Sequence, residues 1–147
     1  MPCTILALIY RKAGITPMDF KEQYEDAVLP HIKKEMGRHF PLTYTRHYIG
    51  RFHYWPDGPV EPEAKGAATV DYDLIAELTF EDRTEVDSFM NRWMSKSLAH
   101  RYNVEKIAKV EEKVVDRAKT TVVYVDFPGP YVDGIRAKPA TANAPAV

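Results

Sequence analysis

Strand-like and helix-like patterns follow one another in the order β-α-β-β-α-β along this chain. Residues 4–12 form a nearly continuous apolar run with β-branched and aromatic members, which is typical of a buried central strand. Residues 43–52 are rich in Thr, Tyr and Ile and predict a second strand. Residues 71–80 alternate apolar with polar side chains, as a half-buried strand does, and residues 120–127 form the last β-rich run.

The two main helix patterns begin with capping signals. Thr16 precedes Pro17 at the first helical position, and Asp82 is followed three residues later by a glutamate. The first helix continues at helical spacing but contains Pro30, which lacks a backbone donor and crowds the preceding turn. A kink or break is therefore predicted near Pro30. A further short helix is predicted over residues 103–115.

This order of elements predicts an α+β, ferredoxin-like βαββαβ fold, with a four-stranded antiparallel sheet and helices on one face. The predicted domain covers residues 1–127, and the Pro- and Ala-rich residues 128–147 predict a C-terminal tail. Residues 53–69 contain several prolines and glycines and predict a long loop. The sheet face without helices would expose Ile75 and half of the first strand, so we expect a homodimer in which two such faces pack together.

Charge and cysteine content exclude several classes of function. The net charge of −1 offers no basic footprint for nucleic acid. The single Cys3 cannot form an internal disulfide, and the histidines show no spacing typical of metal ligands. There is no Gly-rich phosphate loop and no G-x-S-x-G motif, so no nucleotide, metal or organic cofactor is expected. No secretion signal or membrane span is recognised, so a cytoplasmic location is expected.

Four segments carry a resemblance to a known family: "DFKEQYEDAVLPHIKKEMG", "FPLTYTRHYIGRF", "DYDLIAELTFED" and "VEEKVVDRAKTTVVYVD". Together they resemble a fungal protein of the EthD-domain family, in the dimeric α/β-barrel superfamily, over residues 3–127. The most specific motif is F-P-L-x-x-T-R-x-Y, from Phe40 to Tyr48. It follows a helix with the pattern Y-x-x-x-H-x-P, in which Tyr24 and Pro30 match.

The resemblance implies that the strand at residues 43–52 lines a small-molecule pocket. It also implies membership of a group that acts on aromatic polyketide intermediates as decarboxylases, dehydratases or cyclases without an organic cofactor. Two positions depart from the family pattern. Val28 stands at the histidine position of the helix motif, with His31 three residues later, and Tyr44 stands where the family usually has a histidine.

These reactions pass through an enol or enolate, so they need a donor for the carbonyl oxygen and, for dehydration or cyclisation, a base for a carbon-bound proton. Histidine and tyrosine suit these roles near neutral pH. The candidate catalytic residues are His31, His47 and Tyr44. The candidate substrate-binding residues are Tyr24, Tyr48, Arg46, Glu77 and Trp55.

Alternation along the strand places Tyr44, Arg46 and Tyr48 on one face and His47 on the other, so they cannot all serve one pocket. The sequence leaves open which face lines it. Arg46 is expected to pair with an acid such as Glu77. The structural alternatives are a half-buried hydrogen-bonded His31, a core Tyr24, an interface His47, and a Trp55 packed in a turn on the sheet edge.

The sequence thus favours a cofactor-free lyase that decarboxylates or dehydrates a small aromatic polyketide intermediate. A polyketide cyclase or isomerase remains an alternative, as does a non-catalytic small-molecule binding protein. A haem- or oxygen-dependent monooxygenase is a third possibility, which would need an axial ligand such as His31 or His100.

Overall fold

The computed structural model describes residues 2–50, 53–55, 58–60, 71–125 and 133. Within these residues the strands are Cys3–Ile9 (β1), Thr43–Tyr48 (β2), His53–Trp55 (β3), Gly58–Val60 (β4), Leu74–Phe80 (β5) and Thr121–Tyr124 (β6). The α-helices are Pro17–Gln23 (α1), Leu29–Met36 (α2), Arg83–Met94 (α3) and Arg101–Glu111 (α4). None of the helices in this described part is long and apolar enough to cross a membrane.

The main sheet has the strand order β2-β5-β1-β6, and every neighbouring pair is antiparallel. This order and the helices between the strands confirm the predicted α+β, ferredoxin-like fold. The prediction of a loop over residues 53–69 is wrong in part, because β3 and β4 pair there as an antiparallel hairpin. Pro59 is compatible with that pairing, since a two-stranded sheet has only edge strands, where an absent N–H can face away from the partner.

Both predicted helix caps are confirmed. The Thr16 hydroxyl accepts a hydrogen bond from the Asp19 N–H at 3.1 Å, and Pro17 occupies the start of α1. The Asp82 carboxylate accepts from the Glu85 N–H at 3.0 Å at the start of α3. Each cap satisfies a donor that the helix itself leaves unpaired.

The irregularity predicted at Pro30 is confirmed as a wide, π-helical turn, Tyr24–Val28, between α1 and α2. There the Leu29 N–H donates to the Tyr24 carbonyl five residues earlier. Pro30 has no N–H to offer the Asp26 carbonyl, and its ring needs space there, so the wider turn removes the conflict.

One face of the sheet packs against the helices and holds the core. Leu74, Ala76, Leu78 and Phe80 of β5 are all buried, which confirms the alternation predicted for this strand. The opposite face, which we call the open face, carries the other side chains of the strands. It includes Leu6, Leu8, His47, Ile75, Glu77 and Val123.

A buried ionic cluster joins the end of α3 to the end of α4. Glu111 is 1% exposed and accepts the Trp93 indole N–H on both carboxylate oxygens, each at 3.0 Å. Arg117 donates to the same carboxylate and, at 2.7 Å, to the Trp93 carbonyl. Burial raises the pKa of Glu111, while Arg117 acts in the opposite direction.

Candidate functional site

A cavity of about 420 Å³ lies where the start of α1 meets the end of β2. It is lined by residues 16–18, Phe20, Lys21, Tyr48, Ile49 and Asp73. Its size is within the range of about 300–1,000 Å³ typical of small-molecule sites. The cavity therefore lies on the helix-facing side of the sheet.

Tyr48 connects this cavity to an ion pair behind it. Its hydroxyl donates to Glu25 Oε2 at 2.6 Å. Arg46 Nε and Nη2 donate to the two oxygens of Glu25, each at 2.8 Å, in a bidentate pair. Arg46 Nη1 also donates to the Tyr44 carbonyl at 2.6 Å, which holds the guanidinium along its own strand.

Local structure explains how these three side chains meet. The period-two alternation of β2 directs Arg46 and Tyr48 to the helix-facing side. Glu25 lies in the wide turn between α1 and α2, next to the buried Tyr24. The irregular turn thus supplies the carboxylate, and the strand supplies the guanidinium and the phenol.

The electrostatics of the site fix the protonation states near neutral pH. The Arg46 hydrogen bond holds the pKa of Glu25 below its usual value, so this carboxyl group is ionised. Burial and the hydrogen bond to Glu25 raise the pKa of Tyr48 well above its usual value. The pair is therefore a phenol that donates to a carboxylate.

Tyr24 and Tyr44 form a second hydroxyl pair, deeper in the protein. Their oxygens are 2.5 Å apart and buried, and burial raises the pKa of both phenols. The Tyr44 ring stacks on Phe40 with centroids 5.6 Å apart. Neither tyrosine is among the residues that line the cavity, and the catalytic role predicted for Tyr44 stays a prediction.

The two histidines predicted to be catalytic lie apart from this cavity. His31 Nε2 is 2.8 Å from the Lys106 carbonyl, so this ring links α2 to α4. His47 Nε2 is 2.9 Å from Glu77 Oε2 on the open face, where both side chains are about half exposed. Their predicted roles in catalysis and binding are not tested by these positions and stay predictions.

Arg46 pairs with an acid, as predicted, but the acid is Glu25 and not Glu77. Glu77 lies opposite Thr45 in the β2–β5 register, so its side chain is on the open face, whereas Arg46 is on the helix-facing side. Trp55 lies in β3, and its side chain is outside the described residues.

Sequence reasoning missed Glu25 and Lys21. The sequence did contain a signal for Glu25. Arg46 needs an acidic partner on the helix-facing side, and the break predicted at Pro30 changes the direction of the side chains in the turn before it, where Glu25 lies. Within the described residues, no group of three or more His, Cys, Asp or Glu side chains could hold a metal ion.

The fold is that of the small ferredoxin-like α+β proteins, and a cavity lies between the first helix and the edge of the sheet. The model of the EthD domain family matches residues 12–118. The chain therefore belongs to the EthD domain family. A search of curated proteins found no match.

The chain is similar to solved structures from a plant and from bacteria. The solution structure of a hypothetical Arabidopsis thaliana protein has a TM-score of 0.50 and 16% identity, and the match covers 89% of this chain and 92% of that one. An EthD family protein of Bacillus halodurans has a TM-score of 0.45 and 14% identity, with 86% and 98% covered. A dimeric ferredoxin-like protein of unknown function from Thermobifida fusca has a TM-score of 0.46 and 12% identity, with 86% and 92% covered.

Proposed function

We propose that this protein is a cofactor-free lyase that removes water or carbon dioxide from an aromatic polyketide intermediate. One observation carries the proposal: Tyr48 lines the cavity and donates to an ionised Glu25 that Arg46 holds in place. We call this phenol and carboxylate the Tyr48–Glu25 pair. It offers a proton acceptor at the cavity without a metal or an organic cofactor.

Dehydration of a β-hydroxy carbonyl compound uses this pair twice. The substrate's α-carbon gives its proton to Tyr48 Oη while the phenolic proton moves to Glu25 Oε2. The electron pair of the C–H bond forms the new C=C bond, and the β-carbon–oxygen bond breaks. The proton then returns through Tyr48 to the departing hydroxide, which leaves as water, and the pair is restored.

Decarboxylation uses the same phenol as an acid. The bond between the α-carbon and the carboxylate breaks and carbon dioxide leaves. The electron pair of that bond remains on the substrate, which becomes an enolate. Tyr48 then protonates the enolate carbon and regains a proton from solvent. Both reactions are redox-neutral.

The chemistry of the pair restricts the substrate. A carboxylate whose pKa is lowered is a weak base, so it removes only protons that neighbouring carbonyl groups have already made acidic. The poly-β-carbonyl pattern of polyketides has such protons. Phe20, Ile49 and the Tyr48 ring supply apolar walls that suit a flat aromatic ring.

The test compares Tyr48→Phe and Glu25→Gln with the wild type, using aromatic β-hydroxy carbonyl and β-keto acid substrates. Each variant should lower kcat by about 10²- to 10⁴-fold, because each removes one member of the proton path. The double variant should be little worse than either single variant, since the two residues act as a unit. Tyr102→Phe is the matched control, because Tyr102 is 69% exposed on α4 and outside the cavity.

Near-full turnover by both single variants would refute the proposed function. Protection of the compound in a 1:1 complex without turnover by the wild type would instead identify a binding protein.

We also propose that two copies pack through the open face as a homodimer. Leu6, Leu8 and Ile75 lie there in neighbouring strands and are only partly buried, and none of the described helices covers them. The open face of a second copy, packed here about a twofold axis, would remove these apolar side chains from water. The His47–Glu77 pair would then lie at or near the interface.

A further inference from the structure

The cavity has a surplus positive charge at Lys21. Its ammonium group lies 5.6 Å from the centroid of the Tyr48 ring, on the wall of the cavity. The Lys21 ammonium makes no hydrogen bond and no ion pair within 4 Å to any other described residue, although its charge helps to lower the pKa of Glu25. An ammonium group in such a position can bind an anionic group of a ligand.

Two carboxylates at or beside the cavity, Asp73 and Glu25, are each paired with an arginine. Asp73 accepts from the Arg11 N–H at 2.9 Å and from Arg11 Nε at 3.1 Å. Glu25 is held by both nitrogens of the Arg46 fork and by Tyr48. Among the described residues these two Arg–carboxylate pairs cancel, so Lys21 contributes a positive charge to the wall of the cavity.

On the basis of the proposed function, we infer that the substrate carries a carboxylate, which Lys21 binds while the Tyr48–Glu25 pair acts on a different part of the same molecule. The apolar walls hold the ring, and the ammonium fixes its orientation. A few polar groups in an apolar site are what sets the orientation of a small ligand.

The ion pair also distinguishes between the two lyase reactions. A cation stabilises a carboxylate most while the charge remains on it, and loss of carbon dioxide removes the charge from that group. Binding at Lys21 therefore stabilises the ground state more than the transition state for loss of that carboxylate. The carboxylate bound at Lys21 is retained, and the reaction at Tyr48 is elimination of water.

The binding test uses two probes of the same shape, 2-naphthoate and 2-naphthamide, measured by titration calorimetry. The wild type should bind the carboxylate about tenfold more tightly than the amide, as a charge-assisted hydrogen bond allows. Lys21→Met should abolish the preference, and added salt should reduce it in the wild type. Lys34→Met is the matched control and should keep the preference, since Lys34 is an exposed lysine on α2 outside the cavity.

Equal affinity for the two probes, no measurable binding of either, or a preference that survives in Lys21→Met would overturn the inference. These outcomes are separate from those for the proposed function, because the titrations need no turnover. The second test uses a β-hydroxy carbonyl substrate that also carries a carboxylate on its aromatic ring. Mass spectrometry of the product shows whether this carboxylate is retained. Loss of water with that carboxylate intact is expected, and its release as carbon dioxide would contradict the assignment.

Discussion

Replacement of Arg117 by methionine should destabilise the protein in a pH-dependent way, because it removes the cation beside a buried carboxylate. Glu111 is 1% exposed, and the Arg117 side chain is 14% exposed. Among the described residues, the substitution leaves the Glu111 charge with the Trp93 indole N–H as its one side-chain partner. Methionine keeps the length of the arginine stem, so the loss of charge dominates over the loss of packing.

The expected cost follows from burial and the remaining partners. Removal of one member of a buried ion pair costs about 3–5 kcal/mol. The indole N–H still contacts both oxygens of Glu111, so we expect the lower end, about 3 kcal/mol at pH 7.5. The same substitution at the exposed Arg101, which pairs with Glu105 one turn away, should cost far less, because solvent screens an exposed ion pair.

The pH dependence follows from the direction of the shift in pKa. Burial already raises the pKa of Glu111 in the folded protein, and removal of Arg117 raises it further. A carboxyl group with a raised folded pKa favours folding less as pH increases from its unfolded pKa to its folded pKa. The deficit of Arg117→Met should therefore shrink as pH falls and be smallest well below the unfolded pKa, where Glu111 is protonated in both states.

Urea unfolding followed by tryptophan fluorescence measures this effect, with both variants and the wild type at pH 7.5 and at pH 5. The midpoint should fall far more for Arg117→Met than for Arg101→Met, and the difference should be smaller at pH 5. A cost no greater than that of the control, or one that does not change with pH, would refute this account of Glu111.

Three further outcomes are expected. Leu8→Lys should convert the proposed dimer to a monomer in analytical ultracentrifugation, since it places a charge within the open face; a wild type that is monomeric at micromolar concentration contradicts that proposal. Deletion of residues 130–147 should leave the melting temperature nearly unchanged, because their composition offers little to bury, and a large decrease would show that they pack on the body. His31→Gln and His47→Gln distinguish two assignments of the catalytic residues. If the histidines are catalytic, kcat should fall by about 10²- to 10⁴-fold, whereas near-full turnover is expected if the Tyr48–Glu25 pair is catalytic.

The sequence was sufficient for the fold because its signals are local. Alternation in β5 fixes which residues face the helices, and the caps at Thr16 and Asp82 fix where α1 and α3 begin. These signals need only a few neighbouring residues to be read, and all of them agree with one arrangement.

The site depended on contacts between distant elements, which the sequence specifies less directly. Alternation grouped Arg46 with Tyr48, but the acid between them comes from a helix more than twenty residues earlier. The strand register excluded Glu77, and register is not visible in either strand alone. The ionic role of Glu111 was hidden in the same way, because Trp93 and Arg117 come from other segments.

The wide turn before Pro30 sets the position of the Glu25 carboxylate. A regular α-helix advances each residue by about 100°, so a continuous helix through Tyr24–Val28 would rotate Glu25 relative to the residues after it. Pro30 excludes that helix, because it cannot donate to the Asp26 carbonyl and its ring would collide there. Pro30, which is not among the residues that line the cavity, therefore restricts the conformation of the turn that carries the Glu25 carboxylate. Replacement of Pro30 by alanine would make the regular helix accessible, so activity should fall while the fold and its stability are kept.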